Sequence, residues 1–344
     1  MTAADRASQT DVRLDDARDL RPEREAITRP AGPRARGERS TVPKAGFRSY
    51  YGRPVLQPIP WTDHDIAGYL FLGGLAGASS TLAAAADLTG RRCLARAAKA
   101  GAACALGGSL YALIHDLGRP ARFLNMLRVF KVTSPMSVGA WILGAYGPPT
   151  GLAALTAVTG RLPRTGRAAT ATAGLIGPAL ATYTAALIAD TAVPVWHEAY
   201  RELPWLFAGS AAASAGGLGM LAAPVSEAGP ARNLAVAGAL AEYAAARRME
   251  RRLGMVARPL GTGRGGVLLR LGKALNMTGA VAAQTLARRD RAAAVGAGAA
   301  LLAGALCTRF GIFHAGLESS RDPRYTVQPQ RARLEAATAR ESGS

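Results

Sequence analysis

The chain has 344 residues, 49% of them hydrophobic and only 6% aromatic, and a formal net charge of +19. In a soluble protein that charge would point to nucleic acid, but the arginines here gather in the tails and between apolar runs, with no aromatics interleaved to stack on bases. Anionic lipid headgroups fit this distribution, and nucleic acid is not an expected partner. Cys93, Cys104 and Cys307 form no CxxC pair and no metal spacing, so the chain itself is expected to hold neither an iron–sulfur cluster nor zinc.

Residues 1–45 mix Arg, Asp, Glu and Pro with almost no apolar clustering and read as a disordered polar tail. No apolar core of a cleaved leader is visible in this region, so insertion is expected to be driven by the spans that follow. Around Tyr51-Gly52-Arg53-Pro54 to Pro60-Trp61 the prolines favour extended backbone, and Trp61 with Tyr50 and Tyr51 suits an interfacial aromatic belt. Apolar runs of about 20 residues then recur, long enough to cross a hydrocarbon layer of ~30 Å. They lie near Ala67–Leu88, Ala95–Ile114, Val138–Val158, Ala168–Ala189, Leu206–Ala223, Leu234–Ala246, Val267–Leu286 and Ala292–Ile312. The sixth is short and the seventh carries Arg270 and Lys273, so six or seven crossings remain open. The fold class is therefore all-α, a polytopic integral membrane protein with a transmembrane domain over 46–318 and a polar tail over 319–344. Gly73 and Gly77 have GxxxG spacing, read as generic close helix packing.

Eight crossings would put both termini on one face. That face also receives the connectors His115–Ser137, Asp190–Trp205 and Arg247–Arg264, and with them all four histidines, His64, His115, His197 and His314. No histidine lies mid-span, which argues against a buried haem with paired axial ligands. At the end of span two, His115 and Asp116 precede Arg119 and Arg122. These four read equally well as an interfacial ion cluster or as a proton relay. Tyr183 lies two turns before Asp190 in span four, and its hydroxyl needs a partner, either a quinone carbonyl or a backbone carbonyl. His64, Asp65 and Tyr69 offer similar groups at the head of span one. Glu242, inside the short sixth span, is the only carboxylate well within an apolar run and is a proton-path candidate.

Several separated motifs resemble the NrfD/PsrC family of membrane subunits of molybdopterin oxidoreductases. They are Tyr51-Gly-Arg-Pro54, Tyr69-Leu-Phe-Leu-Gly-Gly-Leu-Ala-Gly77, Asp116-Leu-Gly-Arg-Pro-Ala-Arg-Phe123, Asn125 to Lys131 with Ser134-Pro-Met-Ser137 and Trp141, Tyr183-Thr184, Thr191 to Trp196, and Asp322 to Arg331. The resemblance implies an eight-helix anchor in the cell membrane, built as two four-helix bundles, that binds menaquinone or ubiquinone without haem. It further implies docking to a ferredoxin-like four-cluster iron–sulfur subunit, which connects the quinone to a molybdopterin catalytic subunit. Relatives beside formate dehydrogenase-, polysulfide reductase- or nitrite reductase-like enzymes are the frame of reference. By this analogy Asp65, Tyr69 and Tyr183 would form the quinone site. Asp116, Arg119 and Arg122 would serve proton exchange or headgroup contact, joining His115 and Glu242, which the residues themselves mark as proton-transfer candidates, and Gly52, Arg53 and Pro54 would meet the iron–sulfur partner. Gln57 and His314 stand where Glu and Lys are expected in relatives.

Two other readings stay open: a purely structural anchor, and a membrane protein that moves ions or protons. Orientation is divided as well, because arginines and lysines near span ends favour a cytoplasmic terminal-bearing face whereas the resemblance implies an outward one.

Overall fold

The structure, a computed structural model, describes residues 55–56, 59, 61–117, 119 and 121–341. The N-terminal tail over 1–45, Tyr50, Tyr51, the Gly52-Arg53-Pro54 segment and Gln57 lie outside the described residues. Contact clustering divides the chain into a unit of 59–319 and a second unit formed by 1–58 and 320–344.

Long helices fill the first unit: α1 (Asp63–Leu88), α2 (Arg92–Asp116), α3 (Pro135–Thr159), α4 (Pro163–Ala189), α5 (Leu203–Ala222), α6 (Gly229–Leu253), α7 (Gly263–Gln284) and α8 (Arg291–Arg321). Five of them, α1, α2, α4, α5 and α8, are long and apolar enough to cross a membrane. The other three fall short of that composition. α3 is diluted by Pro148, Pro149 and hydroxyl residues, α6 carries Glu242 and a run of arginines, and α7 carries Arg264, Arg270 and Lys273. In the second unit, the segment expected as a plain polar tail contains an 18-residue helix, α9 (Arg324–Glu341). It is polar all round, so polarity of sequence did not prevent helical backbone.

Helix starts follow local chemistry. Asp63 and Asp65 occupy the first turn of α1, where carboxylates complement the helix dipole. Ser134 caps α3 by accepting from the Ser137 amide, with Pro135 pre-set for the first helical position, and Gly160 closes the helix at φ 69°.

α1 packs against α2, α4 and α5, and α3 packs against α2 and α4, so α1–α4 form one set of neighbours. α5 packs on α6 and α6 on α7, while α8 meets α5 where Gly217 faces Gly298 and meets α7 where Gly304 faces Asn276. Close approach is clearest between α1 and α4. A Cβ on Gly77 would collide with the Gly177 carbonyl, and one on Gly177 with the Gly77 carbonyl, so the two backbones touch. One residue on, Pro178 lacks the amide that would have bonded the Gly174 carbonyl. Thr81 of α1 supplies the donor instead, its Oγ1 lying 3.1 Å from the Gly174 oxygen.

Charged side chains hold the helix ends, and their partners show which of those ends share a face. On one face Asp87 near the end of α1 pairs with Lys99 of α2 at 2.6 Å. There the Glu227 carboxylate also caps α2, accepting from the Cys93 and Leu94 amides at 2.7 and 3.1 Å. Arg291 at the head of α8 donates to the carbonyls of Met220 and Ala223, both at 2.7 Å, satisfying the end of α5. On the other face Glu202, only 1% exposed, takes Arg252 at 2.6 Å, and Arg252 also donates to the Glu198 carbonyl. Trp61, half-buried just before α1, has an aromatic partner of its own. It stacks on Trp196 with centroids 6.0 Å apart, and Trp196 is itself fully buried, its indole N–H donating to the Ile312 carbonyl at 2.9 Å.

Candidate functional site

One face of α1 organises the site, because Asp65, Tyr69, Gly73 and Gly77 recur at four-residue steps and so lie one above another. At the outer end, Asp65 Oδ2 lies 2.8 Å from Nδ1 of His115, the penultimate residue of α2. The Asp65 side chain is 16% exposed and that of His115 62%, so the pair runs from protein interior to surroundings. The imidazole also stacks on Tyr111, one turn earlier on α2, with centroids 5.9 Å apart. Asp116 completes this rim, accepting from the Thr62 amide at 3.3 Å.

The two arginines expected beside Asp116 do not pair with it. Arg122 turns back and donates to the Leu117 carbonyl at 3.0 Å, satisfying the end of α2, and Arg119 is exposed. An arginine just past a helix end finds unsatisfied carbonyls within reach, and here they outcompete the carboxylate. Asp116 keeps company with His115 and Asp65 instead.

One turn inward, Tyr69 is 1% exposed and its hydroxyl neighbours that of Tyr183 on α4. The Tyr183 ring lies directly on Gly139 of α3, where any Cβ would overlap it. Four helices therefore converge: α1 gives Asp65 and Tyr69, α2 gives His115 and Asp116, α3 gives the glycine seat and α4 gives Tyr183. Next to Gly73, the hydroxyls of Ser109 and Thr184 are buried without a hydrogen-bond partner among the described residues. The tyrosines offer O–H donors, and Asp65, paired with His115, precedes Tyr69 by one turn on the same face of α1.

Glu242 belongs elsewhere. It is 6% exposed within α6, and its two oxygens accept from Asn276 Nδ2 of α7 at 2.8 Å and Thr308 Oγ1 of α8 at 2.6 Å. It therefore sits in the α5–α8 set, separate from the rim residues with which sequence reasoning grouped it. Beside it, Arg309 is fully buried, donates to the Phe207 carbonyl at 2.7 Å, and lies 3.6 Å over the Phe207 ring. Its Nε and Nη1 have no hydrogen-bond partner among the described residues, while its Nη2 lies against Gly74 of α1. A cavity of about 450 Å³ lies between α6 and α7 with Glu242, Asn276 and Thr308 among its lining residues.

The remaining histidines occupy the same end of the helices as His115. His64 packs on Phe310 with centroids 6.2 Å apart, His314 Nδ1 lies 3.8 Å from Asp63, and His197 lies near the Ala189 carbonyl. Sequence reasoning missed Arg309, Asn276, Glu202 and Gly139. Arg309 alone carried a usable signal, a charge inside the apolar run of the eighth span. Comparison with curated proteins returns no match. The family described as polysulphide reductase, NrfD, matches residues 55–246, which covers α1 to α5 and most of α6 and leaves α7 and α8 beyond the matched stretch. That match spans more than half of the chain, and the protein is a member of the NrfD family of membrane subunits.

Proposed function

We propose that this chain, as an NrfD-family membrane subunit of an oxidoreductase complex, exchanges menaquinone or ubiquinone at the Asp65, Tyr69 and Tyr183 site and passes electrons between the quinone pool and an iron–sulfur subunit. That subunit is the ferredoxin-like partner of a molybdopterin catalytic subunit, of the kind found in formate dehydrogenase-, polysulfide reductase- or nitrite reductase-like enzymes. All eight long helices cross the cell membrane in this reading, as two bundles, α1–α4 and α5–α8.

The observation that carries it is the stacking of two functions on one helix face. Asp65, joined to His115 at 2.8 Å, lies one turn from the Tyr69 and Tyr183 hydroxyls. A quinone supplies two-electron chemistry coupled to two protons. The tyrosine hydroxyls orient a carbonyl oxygen by donating to it, and Gly139 lets the Tyr183 ring reach that position. His115 places Nδ1 2.8 Å from Asp65 while its ring is largely exposed, so the pair joins the site to the surroundings. Asp116 adds a second carboxylate at the same rim. The three cysteines form no CxxC pair and no cluster spacing, so electrons enter or leave through another chain.

The test is turnover of the assembled complex carrying Asp65→Asn, Tyr183→Phe or Asp116→Asn. Quinone-coupled turnover should fall by about 100-fold, the ordinary scale of a positioned proton donor. Turnover with a soluble dye that bypasses the quinone should persist. A purely structural anchor would keep both activities.

A second reading is favoured by Glu242 and Arg309, a buried carboxylate and guanidinium in the α5–α8 set. Buried ionisable groups of this kind serve proton relays, which would add proton translocation to quinone exchange. Glu242→Gln in proteoliposomes separates the two: loss of proton movement with quinone turnover retained supports translocation, and loss of neither dismisses it.

A further inference from the structure

The cavity between α6 and α7 carries charge that the quinone reading leaves unused. Arg258, Arg270 and Lys273 all line it. None has a carboxylate within ion-pair distance among the described residues. Arg270 donates to the Gly261 carbonyl at 2.7 Å, and Lys273 lies over the Tyr243 ring at 4.6 Å. The acids that share the cavity are engaged, Glu250 with Arg247 at 3.4 Å and Glu242 with Asn276 and Thr308. Elsewhere the cavity wall is apolar, formed by residues such as Ala246, Leu269 and Met277.

Lys273 lies ten residues into α7, roughly 15 Å from its first residue at 1.5 Å per residue. On the reading proposed above, in which α7 crosses the membrane, a cation that far along it is costly unless an anion or water reaches it. Basic pockets between transmembrane helices take lipid headgroups for this reason. We propose that the α6–α7 cavity binds one anionic phospholipid of the bilayer. Its phosphate lies among Arg258, Arg270 and Lys273, and one acyl chain follows the wall of Ala246, Leu269 and Met277. A free phosphate would meet the same cations but would leave that apolar wall exposed. Arg258, Arg270 and Lys273 all lie beyond the stretch matched by the family.

The experiment measures thermal unfolding of the full chain, with the subunits that purify with it, in detergent after removal of lipid. Cardiolipin is added in one arm, phosphatidylethanolamine in a second, inorganic phosphate in a third and a short-chain quinone analogue in a fourth. Cardiolipin alone should raise the Tm. Combined Arg258→Gln, Arg270→Gln and Lys273→Gln should weaken that response at least about tenfold. The same change at Arg161, Arg164 and Arg167, exposed on another surface, should leave it intact. If the triple variant does not fold, Ala246→Trp keeps every charge, blocks the wall, and should also abolish the response. Equal stabilisation by phosphate or phosphatidylethanolamine overturns the proposal. So does a response to the quinone analogue alone, or equal loss in both triple variants.

Discussion

Thr81 of α1 donates to the Gly174 carbonyl of α4 at 3.1 Å, filling the place of the amide that Pro178 lacks. The contact lies beside the crossing of Gly77 and Gly177, so it holds the two helices that carry Asp65, Tyr69 and Tyr183. Thr81→Val keeps the shape and removes the donor, leaving a carbonyl without a partner inside a membrane protein. The expected cost is about 1–3 kcal/mol. A lower Tm in detergent or lipid nanodiscs would show it, whereas Thr81→Ser should restore most of the loss.

Gly139 is the seat of the Tyr183 ring, and even a methyl group there would overlap it. Gly139→Ala should therefore displace Tyr183 at an overpacking cost of about 1–3 kcal/mol. Assembly with partner subunits should survive, since Gly139 lies inside the α1–α4 set. The quinone-coupled KM or turnover should suffer while dye-linked turnover does not. Unchanged quinone kinetics would mean that Tyr183 does no work at the ring.

Glu202 is buried and depends on Arg252, whose side chain is 29% exposed. Arg252→Ala would leave the buried carboxylate only Arg248, 3.7 Å away and largely exposed, so destabilisation near the lower end of about 3–5 kcal/mol is expected. Converting both residues to leucine should be milder than the single change, since no unpaired charge then remains. Comparing Tm values of the single and double variants decides whether the loss is one of charge or of packing.

Glu227 caps α2 from the turn between α5 and α6. Hydrogen bonds from the Leu94 amide first, with further help from Cys93 and Arg91, hold its carboxyl below the usual glutamate range. A carboxylate depressed in the folded state contributes stability above its unfolded value and loses it as pH falls through the folded one. The cap should therefore hold at neutral pH and weaken only on the acid side. Glu227→Gln should flatten that acid limb in a Tm–pH profile and lower the neutral plateau. A profile that keeps its acid limb would assign the pH dependence to other carboxylates.

Helical stretches, their apolar character, and the gathering of all four histidines at one end of the helices were set by local spacing. Runs of about 20 apolar residues and the four-residue step from Asp65 to Tyr69 follow from covalent geometry and the helical repeat, which a sequence displays directly. Adjacency was another matter. Asp65 meets His115, Tyr69 meets Tyr183, and Glu202 meets Arg252 only because particular helices pack side by side. With 40 glycines in the chain, almost any pair of helices has small residues to offer, so no local pattern names the partner. Tertiary packing therefore decided that Arg122 would satisfy a helix end instead of Asp116, that Trp61 would stack on Trp196, and that Glu242 would join Arg309 away from the rim. Each is a choice among competing partners at similar local reach, and close-packed helices settle it by admitting only one.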